Sequence, residues 1–252
     1  VEIHYREWGK GTPLIFLHGG WGYEIYPIDK QLPVLSERFR IIVPDRSGYG
    51  GSLEINQLPD RFHTAAATEM LTFLDALDID RAILWGHSDG AVIGAIMGIL
   101  SPERFPGIIM EAFHFERNKI GSKEFFQTMV DAPDSFGERV CDLLAHEHGK
   151  DRWRRVLEFE GRAWLKIIKE SGDAQKDFFN SRLPEFCAPA IFIHGALDPR
   201  TEPTELGALR SQLPDVPIKL IEEGGHSPHS ESRSAEECNR ILTEFLDQIR
   251  PI

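Results

Sequence analysis

Ser88 lies in the run Gly86-His87-Ser88-Asp89-Gly90, a G-x-S-x-G pattern. A serine hydroxyl is a poor nucleophile unless a base takes its proton and a third group orients that base. Two later segments offer such partners. His194-Gly195-Ala196-Leu197-Asp198-Pro199 carries an aspartate, and Gly224-Gly225-His226-Ser227 carries a histidine flanked by paired glycines. Together they would let the Ser88 hydroxyl attack an acyl carbon, with His226 as general base and Asp198 holding the imidazole. Glu111 is the rival for the acid and His229 for the base. His18 and His87 read as loop-packing residues beside the site.

These residues are useful only if strands deliver them to one edge. Short apolar runs alternate with helical patterns along the chain, as expected of a parallel sheet flanked by helices. The strand candidates are Leu14–Leu17, Arg40–Pro44, Ala82–Trp85, Ile108–Met110, Ala190–Ile193 and Ile218–Ile221. Glu2–Arg6 alternates and is expected to form an edge hairpin with Leu14–Leu17 through the Gly9–Pro13 turn. Ser88 then sits between a strand and the apolar helix Ala91–Leu100, on a turn tight enough to require glycine two residues to either side. Asp198 and His226 each follow a strand, and ligands of open α/β sheets bind at the strands' carboxyl ends. Ala67, Met70, Leu71, Leu74 and Leu77 form one helical face, and Cys238, Ile241, Leu242, Phe245, Leu246 and Ile249 another. Both read as core.

The chain resembles the α/β-hydrolase family over essentially its whole length. His18-Gly19-Gly20 after the first interior strand is similar to the family's oxyanion loop. Asp45-Arg46-Ser47-Gly48-Tyr49-Gly50-Gly51-Ser52 is similar to its glycine-rich loop, and the order Ser, Asp, His is the one that fold carries. The resemblance implies an α/β-hydrolase fold with a core of residues 1–115 and 187–252. Residues 116–186, where no strand is evident, would form an inserted helical cap. It also implies a serine hydrolase of small carboxylic esters, similar to carboxylesterases and biphenyl-hydrolase-like members. The oxyanion would be met by the N–H groups of Asp89 and Gly20, with Trp21 one residue away. Serine at position 88 separates the chain from relatives whose nucleophile is aspartate. Carbon–carbon bond hydrolysis of ring-cleavage products, lactonase or perhydrolase chemistry, and a non-catalytic ligand receptor are the other readings. Asp89 is open to two: a carboxylate pairing with a cationic substrate group, or a helix N-terminal residue bonded locally. Among the aromatic residues, Phe113, Trp153 and Trp164 are candidates for the substrate-binding wall, and Phe125, Phe126 and Phe159 are open to the same reading.

Composition excludes several classes. With 40 acidic against 28 basic residues the net charge is −12, which disfavours nucleic acid and anionic membranes as partners. The basic run Lys150–Arg155 reads as a solvated helix face. No stretch approaches the ~18–20 apolar residues of a membrane helix. His146-Glu147-His148 cannot converge on one metal ion from a helix, because adjacent positions do not share a face. No cofactor or metal is implied, and the partner expected is a small-molecule ester. The three scattered cysteines, two expected to be buried, suggest reduced thiols and a cytoplasmic protein. The sequence starts at Val1 rather than Met and leaves upstream residues and oligomeric state open.

Overall fold

A computed structural model describes residues 2–172 and 178–249. Seven strands, β1 Tyr5–Trp8, β2 Thr12–Leu17, β3 Phe39–Pro44, β4 Ile83–His87, β5 Ile108–Glu111, β6 Ala190–Gly195 and β7 Ile218–Ile221, form one sheet in the order β1-β3-β2-β4-β5-β6-β7. All pairs are parallel except β1 with β3. Between β2 and β4 the chain order turns back on itself, which opens a crevice at the strands' carboxyl ends.

The edge hairpin does not form. β1 pairs with β3, Tyr5 opposite Pro44 and Trp8 opposite Ile41, and not with β2. Burial explains the choice. β1 is half-exposed along its length, whereas Leu14–Leu17 of β2 is fully buried and lies between two parallel neighbours. Gly9 and Gly11 let the chain cross over the start of β3, since a Cβ at either would sit 2.3–2.4 Å from a backbone oxygen of the 36–39 segment. The strand also starts later than the alternation suggests, because Glu2 and His4 bond the loop after β3 instead, through Leu53 and Asp45.

Period-two alternation divides the core between the two faces. Ile15, Leu17, Ile42 and Leu84 meet helices α2 (Phe62–Ala76) and α3 (Asp89–Leu100). Leu14, Phe16, Ile41, Val43, Ile83, Trp85 and Ile109 meet α8 (Ala235–Leu246), with the short helix α1 (Leu32–Leu35) beside them. Helix α3 is buried nearly all round, so it needs apolar residues on every face. Between β5 and β6 the described residues contain no strand. Helices α4 (Lys123–Asp131), α5 (Glu138–His148) and α6 (Trp153–Lys169) lie there, and α7 (Glu205–Gln212) follows β6. The basic run is only partly a helix face: α6 begins at Trp153, and Arg152 is half-buried, donating to the carbonyls of His148 and Gly50. Of the cysteines only Cys238 is buried; Cys141 is half-buried at the margin of the core and Cys187 is exposed. Among the described residues no helix is long and apolar enough to cross a membrane.

Candidate active site

The turn between β4 and α3 holds Ser88 at φ 56° and ψ −121°, a strained conformation for a residue with a side chain. The flanking glycines make it affordable sterically. A Cβ at Gly86 would lie 2.2 Å from Gly90 O, and one at Gly90 would lie 1.9 Å from Leu17 O. The turn is pinned by Ser88 N donating to Glu111 O (2.9 Å) and by Ala91 N donating back to Ser88 O (2.9 Å).

From that turn Ser88 Oγ reaches His226 Nε2 at 3.2 Å, and His226 Nδ1 reaches Asp198 Oδ1 and Oδ2 at 3.0 and 3.1 Å. Burial alone would raise the Asp198 carboxyl. The charge and hydrogen bond of His226, with the Arg200 N–H (2.8 Å), outweigh it and hold the group far below the usual carboxylate range. An ionised Asp198 fixes the proton of His226 on Nδ1 and leaves Nε2 free to accept from Ser88.

The rivals have other duties. Glu111 accepts from Trp85 Nε1 (3.1 Å), His229 N (3.0 Å) and His229 Nδ1 (2.9 Å), and His229 Nε2 donates to Tyr26 O. His87 bonds His226 O and Ser227 Oγ, which braces the backbone under His226. His18 Nδ1 donates to Gly19 O, and its Nε2 accepts from Arg46 N. Burial holds both rings near a pKa of about 3, so they stay neutral.

Opposite Ser88 runs the segment Gly19–Gly22. Arg46 Nη2 donates to Gly19 O (2.8 Å), so the glycine-rich loop after β3 fixes this segment. No backbone acceptor engages the N–H of Gly20 or Trp21 among the described residues. Asp89 N, at the first position of α3, has no carbonyl one turn earlier to bond. Its helix end also favours developing negative charge.

Three site residues carry no signal in the motifs. His114, three residues past β5, places Nε2 3.1 Å from Ser88 Oγ and stacks 5.8 Å from His226. Burial keeps this imidazole well below its ordinary pKa, hence neutral. Glu160 projects from α6 onto Asp89, and Asp89 also accepts from His63 Nε2 (2.8 Å). Burial and the neighbouring Asp89 charge push Glu160 well above the carboxylate range, while His63 and Glu160 hold Asp89 ionised. Glu160 therefore keeps its proton and donates a hydrogen bond through it to the Asp89 carboxylate, and it accepts from Trp164 Nε1 (3.1 Å) and from Tyr49 Oη. Arg200 is the third. Glu160 was detectable as a carboxylate inside the apolar stripe Trp153, Leu157, Trp164; His114 and Arg200 were detectable only as post-strand polar residues.

A cavity of about 40 Å³ joins these groups, lined by Gly20, Trp21, Ser88, Asp89, His114, Glu160, Arg200 and His226, with Phe125, Phe126 and Trp164 on its apolar side. Of the aromatic candidates, Trp164 is on the wall. Phe113 is not: it packs below against Phe179 and Phe192. Trp153 is likewise buried in the hydrophobic core, away from the cavity. Asp89 borders the cavity, but both its oxygens face protein partners.

Two fastenings hold the surroundings. Glu147 accepts from Tyr23 N (2.7 Å) and Glu24 N (3.0 Å), and His148 bonds Gly50 N and Trp21 O, so α5 is tied to the loops beside the site. No group of His, Cys, Asp and Glu among the described residues is arranged to hold a metal ion. Lys119 and Glu205 form a fully buried ion pair. Glu205 also accepts from Phe115 N, Glu116 N and Glu202 N, and Lys119 donates to Arg200 O (3.0 Å). The loops after β5 and β6 are thereby stapled together.

A serine on a strained strand-to-helix turn, with histidine and aspartate from later strand ends, defines the nucleophile site of an α/β hydrolase. The chain belongs to that family: residues 14–240 match the alpha/beta hydrolase family model. It is 35% identical to the bifunctional esterase/perhydrolase DCH of Acinetobacter calcoaceticus, covering 98% of this chain and 96% of that one. It is 25% identical to a non-heme chloroperoxidase of Burkholderia pyrrocinia, with 98% and 96% covered. Among solved structures, a thermophilic esterase from Thermogutta terrifontis superposes with a TM-score of 0.74 at 19% identity, covering 98% of this chain and 93% of that one.

Proposed function

We propose that this hydrolase is a serine esterase that cleaves carboxylic esters of small molecules through an acyl-enzyme. The observation that carries the reading is the continuous line from Asp198 through His226 to Ser88 Oγ, which sits on a turn at φ 56°. Ser88 Oγ adds to the ester carbonyl as its proton passes to His226 Nε2. The oxyanion takes hydrogen bonds from the N–H groups of Asp89 and Gly20, with Trp21 adjacent. His226 returns the proton to the leaving alkoxide, and the alcohol departs. A water then gives its proton to His226 and attacks the acyl carbon, and collapse frees the acid and restores Ser88. The helices of 116–186 act as a cap whose aromatic side closes over the acyl group.

A second reading is perhydrolysis, in which hydrogen peroxide replaces that water. It is favoured by the 35% identity to an esterase/perhydrolase over nearly the whole chain. The test is labelling with a fluorophosphonate probe, mapping the modified residue, and assaying p-nitrophenyl esters of rising acyl length with and without peroxide. Labelling at Ser88 with turnover of short esters is expected, and both vanish in Ser88→Ala. Folded wild-type protein that neither labels nor turns over would remove the esterase reading.

A further inference from the structure

Arg200 is a cation in the catalytic cavity whose guanidinium no carboxylate meets by a hydrogen bond; the charge of Asp198 acts on it only through space. Its guanidinium makes no hydrogen bond or ion pair among the described residues, although it is half-buried. Other arginines of the chain are engaged: Arg6 with Asp45, Arg40 with Glu7, Arg104 with Asp75, and Arg46 with Gly19 O. Among the described residues Arg81, Arg139, Arg155, Arg210 and Arg233 also lack a carboxylate partner, but they are exposed, whereas Arg200 is half-buried against the cavity. Asp198 is not its partner, because those oxygens serve His226, Thr201 Oγ1 and the Arg200 backbone N–H.

The residue is nevertheless held in place. Its N–H donates to Asp198 Oδ1, its carbonyl accepts from Lys119, and its guanidinium carbon lies 3.0 Å from the centroid of the Phe125 ring. Phe125 stacks in turn on Trp21, 5.3 Å away and inclined by 13°. A guanidinium lying over an aromatic ring still has its N–H donors in its own plane, where they can meet a planar anion with two parallel hydrogen bonds. Burial lowers its pKa only to about 10, so it remains charged at neutral pH. Elsewhere on the cavity wall are Asp89 and Glu160, which hold one negative charge between them and repel anions. The cavity thus has a polarity that orients a charged substrate.

We propose that Arg200 binds a carboxylate carried by the ester, so that the substrates are small esters with a free carboxylate on the acyl or the alcohol side. This rests on the serine-esterase reading for its chemistry but not for its binding. The test compares matched pairs: monomethyl succinate with methyl butyrate and monomethyl glutarate with methyl valerate for the acyl side, and O-acetylglycolate with propyl acetate for the alcohol side. Wild type should favour the anionic member of at least one arm by about 10- to 100-fold in kcat/KM, the range of a charge-assisted pair. Arg200→Gln should bring that ratio close to one, and Arg200→Lys should keep part of it. Ratios at or below one in every wild-type pair, or an unchanged ratio in Arg200→Gln, overturn the proposal. Calorimetry of succinate and glutarate binding to Ser88→Ala, with and without Arg200→Gln, reads the site without turnover. Arg200-dependent binding by a chain that hydrolyses no ester would keep the carboxylate site and remove the esterase reading. Absent binding beside turnover of neutral esters would do the reverse.

Discussion

Replacing His114 tests the proton arrangement around Ser88. His226 carries its proton on Nδ1, facing Asp198, so its Nε2 must accept the Ser88 proton. Ser88 Oγ has no second proton to give, and the 3.1 Å contact therefore requires His114 Nε2 to be the donor. A neutral N–H directed at Oγ meets the partial negative charge that the oxygen carries as its proton leaves for His226, before the carbonyl oxygen takes the full charge. Buried hydrogen bonds to charged groups are worth about 1.5–3 kcal/mol, which is about a 10- to 100-fold loss of kcat in His114→Ala. The pH profile should keep its shape, since burial holds His114 neutral throughout the working range. Because the ring also packs 5.2 Å from Trp164, Ala leaves a void, and thermal melting must accompany the kinetics. His114→Gln, which retains an N–H donor, should recover most of the rate. Wild-type kcat in a folded His114→Ala would refute the donor role. A faster rate of fluorophosphonate labelling would refute it differently, by showing that His114 competes with His226 for the serine proton.

Gly20→Ala places a methyl 2.5 Å from Glu160 Oε1 and 2.8 Å from Asp89 Oδ2, so the Gly19–Gly22 segment must shift. Steady-state kinetics should show kcat down by about a hundredfold with little change in KM, the signature of a lost oxyanion donor. Asp89→Asn should lower hydrolysis of alanyl and acetyl esters alike, because the carboxylate serves His63 and Glu160; a loss confined to the alanyl ester would show that it binds a substrate cation. Burial raises Glu147 from 4.5 to about 7 in the folded chain. The stability it contributes is complete below about pH 4.5 and lost as pH rises through about 7, on the order of 3 kcal/mol in all. Urea unfolding of wild type and Glu147→Gln should therefore diverge across that window and run parallel above about pH 8.

How far the sequence could be read follows from the range of the interactions involved. Leu14–Leu17 and Ile108–Met110 are legible as buried strands because their signal is local: continuous apolar runs bounded by turn residues. Ser88, Asp198 and His226 are legible because strained turns and strand ends need glycines at fixed offsets. The partner of Tyr5–Trp8 was not, since pairing with β3 rather than β2 depends on which edge remains open after the interior strands assemble. Phe113 and Trp153 show the limit for aromatic residues: helical spacing and apolar character predict burial, but not whether the buried ring faces a cavity. His114, Glu160 and Arg200 come together only through contacts between distant segments. A polar residue in a post-strand loop looks the same in sequence whether it points into solvent or at a nucleophile.

The staple between Lys119 and Glu205 bears on how such a site can diversify. One buried carboxylate receives the backbone of both the loop that carries His114 and the loop that carries Arg200. Lengthening either loop alone would strand a charge in the interior, a change that typically costs several kcal/mol. The two loops are therefore one heritable unit. Point substitutions at position 200 leave this ion pair intact, whereas grafts from a related scaffold will succeed only when both loops and the ion pair travel together.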